Sequence, residues 1–312
     1  LSKKEKKQKK IKKEIEYLNN FHLNIYNSNL HYNNSSQFYY EKIIKKHFNK
    51  INIVNKNSYT LKTENMEPIF IIGLPRSGST VIETILTSSK EKIISYGECH
   101  VFNTSILDKI SAIIYSNNFD KNKFKFEINL EEINKVIDEK YSQYAFLDNK
   151  KNIKFIDKSL ENFLNIDIIY KNFPKAKFLH TFRNPFDSVI SIYQSMLPDL
   201  SWAHSIENIL SYLDIYYEVI RYFKDKYPDL ILDVNLEDLT DDSIKISKKV
   251  FNFCGLTWDD EILNFYRRKD LFSKTLSFTQ IRSKVKKYDL KKYQPYYNLL
   301  SKFKDQYRWL NI

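Results

Sequence analysis

Arg76, Ser79 and Thr80 stand in a segment whose residue types and spacing suit phosphate binding. The segment is Gly73-Leu-Pro-Arg-Ser-Gly-Ser-Thr80, preceded by the apolar run Pro68-Ile-Phe-Ile-Ile72 and followed by Val81-Ile-Glu-Thr-Ile-Leu-Thr87. The order reads strand, glycine loop, helix. The chain has 4 glycines in 312 residues and places two of them here, where a backbone must turn tightly or approach a ligand closely. Such a loop aims its amides at an anion, and the helix N-terminus adds a favourable dipole. The glycine spacing, with a hydroxyl residue two beyond the second glycine, follows the P-loop pattern. Ser79, however, stands where that pattern has its lysine, and the cation is Arg76 inside the loop. A nucleoside triphosphatase needs the lysine on its β- and γ-phosphates. An arginine placed earlier suits a ligand with a single charged group beyond a 5′-phosphate. A helix end merely capped by Ser and Thr would require neither the glycines nor the arginine.

A second island follows the buried strand read in Ala176-Lys-Phe-Leu-His-Thr-Phe182. It is Arg183-Asn-Pro-Phe-Asp-Ser-Val-Ile-Ser191, a turn and a new helix with Pro185 in its first turn. Arginine grips a phosphate with two parallel hydrogen bonds, and Ser191 adds a neutral donor two helical turns later. Taken alone, a solvated arginine at a strand end would explain this island equally well.

Together the islands resemble the sulfotransferase family. Gly73 to Thr80 is similar to its 5′-phosphosulfate loop, and Arg183 to Ser191 is similar to its 3′-phosphate motif. The likeness is nearest to the branch of protein-tyrosine sulfotransferases and bacterial sulfotransferases with tetratricopeptide repeats. That branch carries a Pro-Arg-Ser-Gly-Thr-Thr loop, then Gly-Glu, then Asp or Asn before Lys after a short strand. Near its C-terminus come Ser-x-x-Gln and a Lys-aromatic pair. The matching residues here are Pro75-Arg-Ser-Gly-Ser-Thr80, Gly97-Glu98, Asp157-Lys158, Ser277-Phe-Thr-Gln280 and Lys292-Tyr293. They keep their order between residues 68 and 305. One departure is Leu236-Glu-Asp-Leu239, where the family often has Tyr-Glu-Asp-Leu. Tyr288 and Tyr293 are candidates to compensate.

The resemblance implies a donor, 3′-phosphoadenosine 5′-phosphosulfate (PAPS), and a product, adenosine 3′,5′-bisphosphate. Its sulfuryl group would pass by in-line displacement to an acceptor hydroxyl or amine, without a metal. Catalysis of that kind rests on positioning and on cations facing the charge that grows on the leaving phosphate. By motif position Arg76 and Lys158 are those cations, with Ser277 a nearby hydroxyl donor. Pro75, Arg76, Ser77, Gly78, Ser79 and Thr80 would hold the 5′-phosphate, and Arg183, Ser191 and Lys292 the 3′-phosphate. The acceptor proton calls for a general base. Glu98 holds the family's Gly-Glu position. His100 is the competing candidate, because small-molecule sulfotransferases use histidine, and in an extended 97–100 segment both side chains would point the same way. Protein tyrosine, a glycan, a lipid headgroup and a small metabolite are all acceptors of the right chemistry. Residues 101–150 and Leu197 to His204 are expected to shape the acceptor pocket.

These residues need a scaffold, and the pattern around them supplies one. Strands alternate with helices, implying a P-loop-like, three-layer α/β fold with a central parallel sheet flanked by helices. Gly73, Asp157 and Arg183 each follow a predicted strand, and ligands of such sheets bind beyond the strands' carboxyl ends. Helices are expected after Val101, near Leu130 to Phe146, and over 160–171, 204–226, 243–254 and 260–268, with strands at 153–156 and Leu230 to Val234. Gly255 should end the 243–254 helix in a left-handed cap. Residues 1–66 read as a short N-terminal helical arm and linker, with an Asn/Ser-rich turn near Asn33 to Ser36 and a polar linker over 51–66. Residues 67–312 form the catalytic domain.

Composition narrows the function classes. The hydrophobic fraction of 42% supports a core, filled largely by 22 Phe and 23 Tyr. The net charge of +12 favours anionic ligands. The aromatics follow core-like runs and carry no RNA-binding signature, so nucleic acid is not the expected partner. Cys99 and Cys254 make no disulfide framework, and neither they nor the 6 histidines have metal-ligand spacing. No run spans a membrane and no secretory signal is visible, which points to the cytoplasm. The chain opens on Leu1 without a methionine, leaving room for an N-terminal extension. Two other readings compete: a P-loop kinase, which magnesium dependence would reveal, and a non-catalytic scaffold that keeps the fold. The first lacks its lysine. The second sits poorly with the retention of Arg76, Glu98, Lys158 and Ser277.

Overall fold

Alternation along the central strands sorts the apolar side chains onto two faces of different chemistry. In β2 (Ile69–Gly73), Ile69 and Ile71 face one way and Phe70 the other, as the two-residue period of a strand dictates. The computed structural model describes residues 11–49, 52–54, 66–91, 93–114, 127–147, 154–268 and 280–311. The chain divides into two units. One comprises the residues up to Phe48 with Arg183–Arg221 and the segment from Lys287; the other comprises Asn49–Phe182 and Tyr222–Lys286.

The second unit holds the sheet. β3 (Ile94–Ser95), β5 (Phe155–Asp157), β2, β6 (Lys177–Phe182) and β7 (Ile231–Asn235) lie in that order, all parallel. Its aliphatic face carries Ile69, Ile71, Ile156, Leu179 and Val234. These pack with Ile82, Ile85 and Leu86 of α3 (Ser79–Leu86) and with Val250 and Phe251 of α9 (Ser243–Phe253). Its other face is aromatic. Phe70 stacks on Phe178 with ring centres 5.5 Å apart and meets Phe102 edge-on at 5.8 Å. Phe102 belongs to α4 (Val101–Ile114), and Tyr141 of α5 (Leu130–Leu147) closes the cluster against Phe102 and Phe155. Phe173, just past α6 (Ile166–Asn172), joins it. Each such ring pair adds roughly 0.5–1.5 kcal/mol beyond its buried area. Helices on both faces are what an all-parallel sheet requires.

The first unit is helical. α1 (Ile11–Ser28) and α2 (Leu30–Phe38) lead into a wide helical turn, Tyr39–Ile44. α7 (Pro185–Ser195) and the part of α8 (Ile206–Lys226) up to Arg221 follow, with short turns of tight helix after Tyr293. Leu18, Ile43, Val189, Ile192, Leu213 and Tyr216 are among its buried residues. Trp202 stacks flat on Tyr212 at 3.8 Å.

The predicted elements are present with small shifts of boundary. Pro185 opens α7, and Asn184 caps it by accepting from the Asp187 amide. Gly255 ends α9 at φ 62°, its amide donating to Asn252 O and that of Leu256 to Phe251 O.

Four readings are corrected. The break between the first helices falls at Asn29, not near Asn33 to Ser36, because side chains there find partners outside their own helix and leave the helical backbone intact. Buried Asn33 donates to Tyr26 O at 2.9 Å, and Ser36 pairs with Ser201 at 2.6 Å. Asn52–Val54, read as linker, forms β1, paired in parallel with β4 (Glu127–Asn129). The first half of the 160–171 helix is tight helix, Leu160–Asn165. Asp260–Arg267 is also tight helix, broken at Asn264. Of the rest of the expected linker, residues 51 and 55–65 lie outside the described residues.

Candidate active site

Loops at the carboxyl ends of three neighbouring strands bring the chemically able side chains of the second unit together. After β2 the chain turns through Gly73 at φ 139°, Arg76 at φ 68° and Gly78 at φ 92°. A Cβ on Gly73 would lie 2.2 Å from the carbonyl oxygen of Thr181 in β6, and one on Gly78 would lie 2.7 Å from the Leu236 side chain. The glycines therefore let the loop sit directly against β6 and Leu236, the residue standing where the resembling family often has tyrosine. Ser77 fastens it further, its hydroxyl donating to Leu74 O at 2.6 Å and lying 2.8 Å from the Thr181 hydroxyl. That hydroxyl is committed inside the protein, so Ser77 offers a ligand its amide. Arg76 is an arginine in the left-handed region, a conformation costing of order 1–3 kcal/mol that tends to mark ligand clamps. Ser79 and Thr80 open α3, whose first amides have no acceptor within the helix. The amides after Pro75, the Ser79 and Thr80 hydroxyls and the Arg76 guanidinium are all donors, which suits an anion that only accepts.

Lys158 follows β5 and is 2% exposed. Its ammonium donates to Glu98 Oε1 at 2.8 Å and lies 3.4 Å from Glu83 Oε2. The backbone closes the same unit, because the Lys158 amide donates to Gly97 O at 2.8 Å. Ser95 donates to Glu83 Oε1 at 2.6 Å and receives the Gly97 amide at 3.1 Å. Glu83 was not among the expected site residues. Its signal is spacing: four residues after Ser79, it lies on the same face of α3.

Asp157 is fully buried and accepts from Tyr141 at 2.7 Å, Cys99 at 3.1 Å and the Ser159 amide at 2.8 Å. Burial and the Asp157 charge push the Cys99 thiol well above its ordinary range, so it serves as a hydrogen-bond donor and not a nucleophile.

The segment 97–100 is not extended. Gly97 and His100 both have positive φ, 62° and 52°, and Glu98 and His100 turn to different partners. The His100 ring bonds Glu161, and its amide donates to Ser159 Oγ at 2.7 Å. The bond to Glu161 raises the His100 pKa above 6.5 against the opposing effect of burial. A raised value favours the protonated ring, a poor base. It also carries a sign for stability. The pair contributes fully below about pH 6.5, the value of an unfolded histidine, and its contribution fades as pH rises through the higher folded value. The side chain is 43% exposed, so the effect is small. Denaturant melts at about pH 6 and about pH 9 should show a larger loss in the wild type than in His100→Ala. Equal losses would mean that the pair contributes nothing.

In the first unit, Arg183 and Ser191 enter a cluster lined by tyrosines. Arg183 is 5% exposed and its guanidinium lies 4.9 Å from the Tyr288 ring centre and 5.0 Å from that of Tyr293. It donates to the Tyr288 hydroxyl, which donates to Asp187 Oδ2 at 2.6 Å. Tyr297 donates to Asp187 Oδ1 at 2.6 Å, and Tyr293 to Ser191 Oγ at 3.2 Å. Burial would raise the Tyr293 pKa, but the Ser191 bond and the nearby Lys292 and Arg183 charges bring it below the ordinary value. Lys292 is exposed, its ammonium 4.8 Å from the Tyr293 ring centre. Sequence reasoning missed Asp187 and Tyr297. Ser277 lies outside the described residues.

Among the described residues no group of His, Cys, Asp and Glu is placed to hold a metal, and no helix is long and apolar enough to cross a membrane.

A model of the sulfotransferase family matches residues 68–260. An uncharacterized protein of Aquifex aeolicus (strain VF5) is 27% identical over 244 residues, 75% of this chain. The chain spans 31% of that relative's length. Among solved structures, the sulfotransferase domain of the Synechococcus PCC 7002 olefin synthase has a TM-score of 0.52 at 20% identity, covering 77% of this chain and 89% of that domain. That likeness is one of fold.

Proposed function

The chain belongs to the sulfotransferase family, and from that premise we propose that it moves a sulfuryl group from PAPS to an acceptor hydroxyl or amine in the cytoplasm. We place it with the protein-tyrosine and tetratricopeptide-repeat-associated branch, on the motifs Pro75 to Thr80, Gly97-Glu98 and Asp157-Lys158. The observation that carries the reading is the contact of Glu98 with buried Lys158, on segments that follow neighbouring strands. It pairs a carboxylate able to take a proton with a cation able to face a developing negative charge.

When bound, PAPS supplies the sulfuryl group and the nucleotide phosphate that leaves. The loop amides with Ser79 and Thr80 would hold the 5′-phosphate. Arg76 and Lys158 would face the bridging oxygen as its bond to sulfur breaks, where fixed charges act without reorganising. Lys158 engages Glu98 through Oε1, and Oε2 is the atom that would receive the acceptor's proton as its oxygen bonds to sulfur. Arg183 and Ser191 would hold the 3′-phosphate, with Lys292 adding charge. The acceptor is a hydroxyl of a protein tyrosine, glycan, lipid or small metabolite, or an amine.

Calorimetry on the purified chain provides the test. Adenosine 3′,5′-bisphosphate should bind at least about tenfold more tightly than ATP with magnesium, a difference of about 1.4 kcal/mol. Preference for ATP would replace this reading with a kinase, and binding of neither would favour a scaffold.

A further inference from the structure

The cluster around Arg183 contains more than a phosphate ligand requires. Asp187 lies one helical turn after Arg183 on α7 and is 1% exposed. Its carboxylate is 3.6 Å from Arg183 Nη2, a long approach for an ion pair, and the Tyr288 hydroxyl bridges the gap. Tyr297 takes the other carboxylate oxygen. Both oxygens of Asp187 are thus fixed by hydroxyls from the C-terminal segment, and the planar guanidinium lies near two tyrosine rings. An arginine side chain has large rotamer freedom, and its fork grips an anion well only when pre-oriented. A buried carboxylate with both oxygens anchored supplies that orientation and balances the charge of the guanidinium.

We propose that Asp187, acting through Tyr288, is a positioning residue that aims Arg183 and thereby sets the enzyme's demand for a 3′-phosphate on its nucleotide. The inference rests on the reading of Arg183 as the 3′-phosphate ligand. Asp187 and Tyr288 do not touch the nucleotide in this scheme; they fix the angle of the group that does. Their loss lowers discrimination between nucleotides with and without the 3′-phosphate, leaving affinity for the rest of the nucleotide in place.

The experiment compares adenosine 3′,5′-bisphosphate with adenosine 5′-monophosphate by calorimetry on the wild-type chain, Asp187→Asn and Tyr288→Phe, with circular dichroism as the check of folding. Asp187→Asn keeps shape and can still accept a tyrosine hydroxyl. In it the preference for the bisphosphate should fall about 10- to 100-fold, the range for a hydrogen bond to a charged group. Tyr288→Phe should lose preference in the same direction by a smaller factor. Affinity for the monophosphate should stay within about twofold in both. Equal weakening of both nucleotides would show a merely structural role and overturn the proposal. So would undiminished preference in folded Asp187→Asn. A wild-type chain that binds both nucleotides equally would overturn the underlying reading of Arg183, and this inference with it.

Discussion

Glu98→Gln is expected to lower kcat for sulfuryl transfer by about 10²- to 10⁴-fold, the usual worth of a positioned general base, while the affinity for adenosine 3′,5′-bisphosphate stays within about twofold. Glutamine keeps the size of the side chain, and its carbonyl oxygen can still accept from Lys158, so the 2.8 Å contact survives the change. What disappears is the basic oxygen. The effect therefore falls on the chemical step and spares donor binding. His100→Ala is the paired control. Its ring is bound to Glu161 and its protonated form is favoured, so activity should fall by no more than a few fold. The assignment fails if Glu98→Gln retains near-full turnover while His100→Ala loses it.

Gly73→Ala is expected to destabilise the fold by about 2–5 kcal/mol, combining a left-handed backbone cost with an overpacking cost. The methyl would meet the Thr181 carbonyl at 2.2 Å, and that oxygen belongs to the backbone of β6, which pairs with β2. No side-chain rotation relieves such a clash; the strands must part or the loop must lift. Gly97→Ala is the internal comparison. Gly97 has φ 62° but nothing within 4 Å of a built Cβ, so it carries the backbone cost alone, about 1–2 kcal/mol. Chemical denaturation of the two variants should separate them clearly. Similar losses at both positions would refute the tight seating of the loop on β6.

These two sites also show what a sequence discloses and what it withholds. The loop is legible because every feature is local: an apolar run, two glycines and a helix start, all within about 20 residues. β2, β5, β6 and β7 are legible for the same reason, since each is announced by its own run, whereas β3, of two residues, is not. Lys158 and Glu98 could be selected only by likeness to a family, and their contact joins positions 60 residues apart. Asp187 and Tyr297 were invisible, and Tyr288 was named only as a stand-in for the tyrosine missing at Leu236, because Tyr288 and Tyr297 reach Asp187 from 101 and 110 residues away and nothing in a tyrosine-rich chain marks that contact. β1 and β4 have three residues each, too few for a period to register. The turn misplaced near Asn33 follows from composition. Asn and Ser favour turns when their side chains bond to nearby backbone, and here tertiary partners claim Ser36 and the preceding helix claims Asn33.

The place of Glu98 after β3 has one more consequence. β3 has two residues and lies at the border of the sheet, whereas the glycine loop springs from β2 with a strand on either side. A border strand this short is held by few backbone bonds and yields to local opening before the interior does. In the proposed function, the loop that would hold the 5′-phosphate thus springs from the interior of the sheet, and the residue that would accept the proton follows its border strand. On that proposal, a change of acceptor calls for remodelling at the edge of the sheet, and the grip on the donor, rooted in its interior, stays as it is.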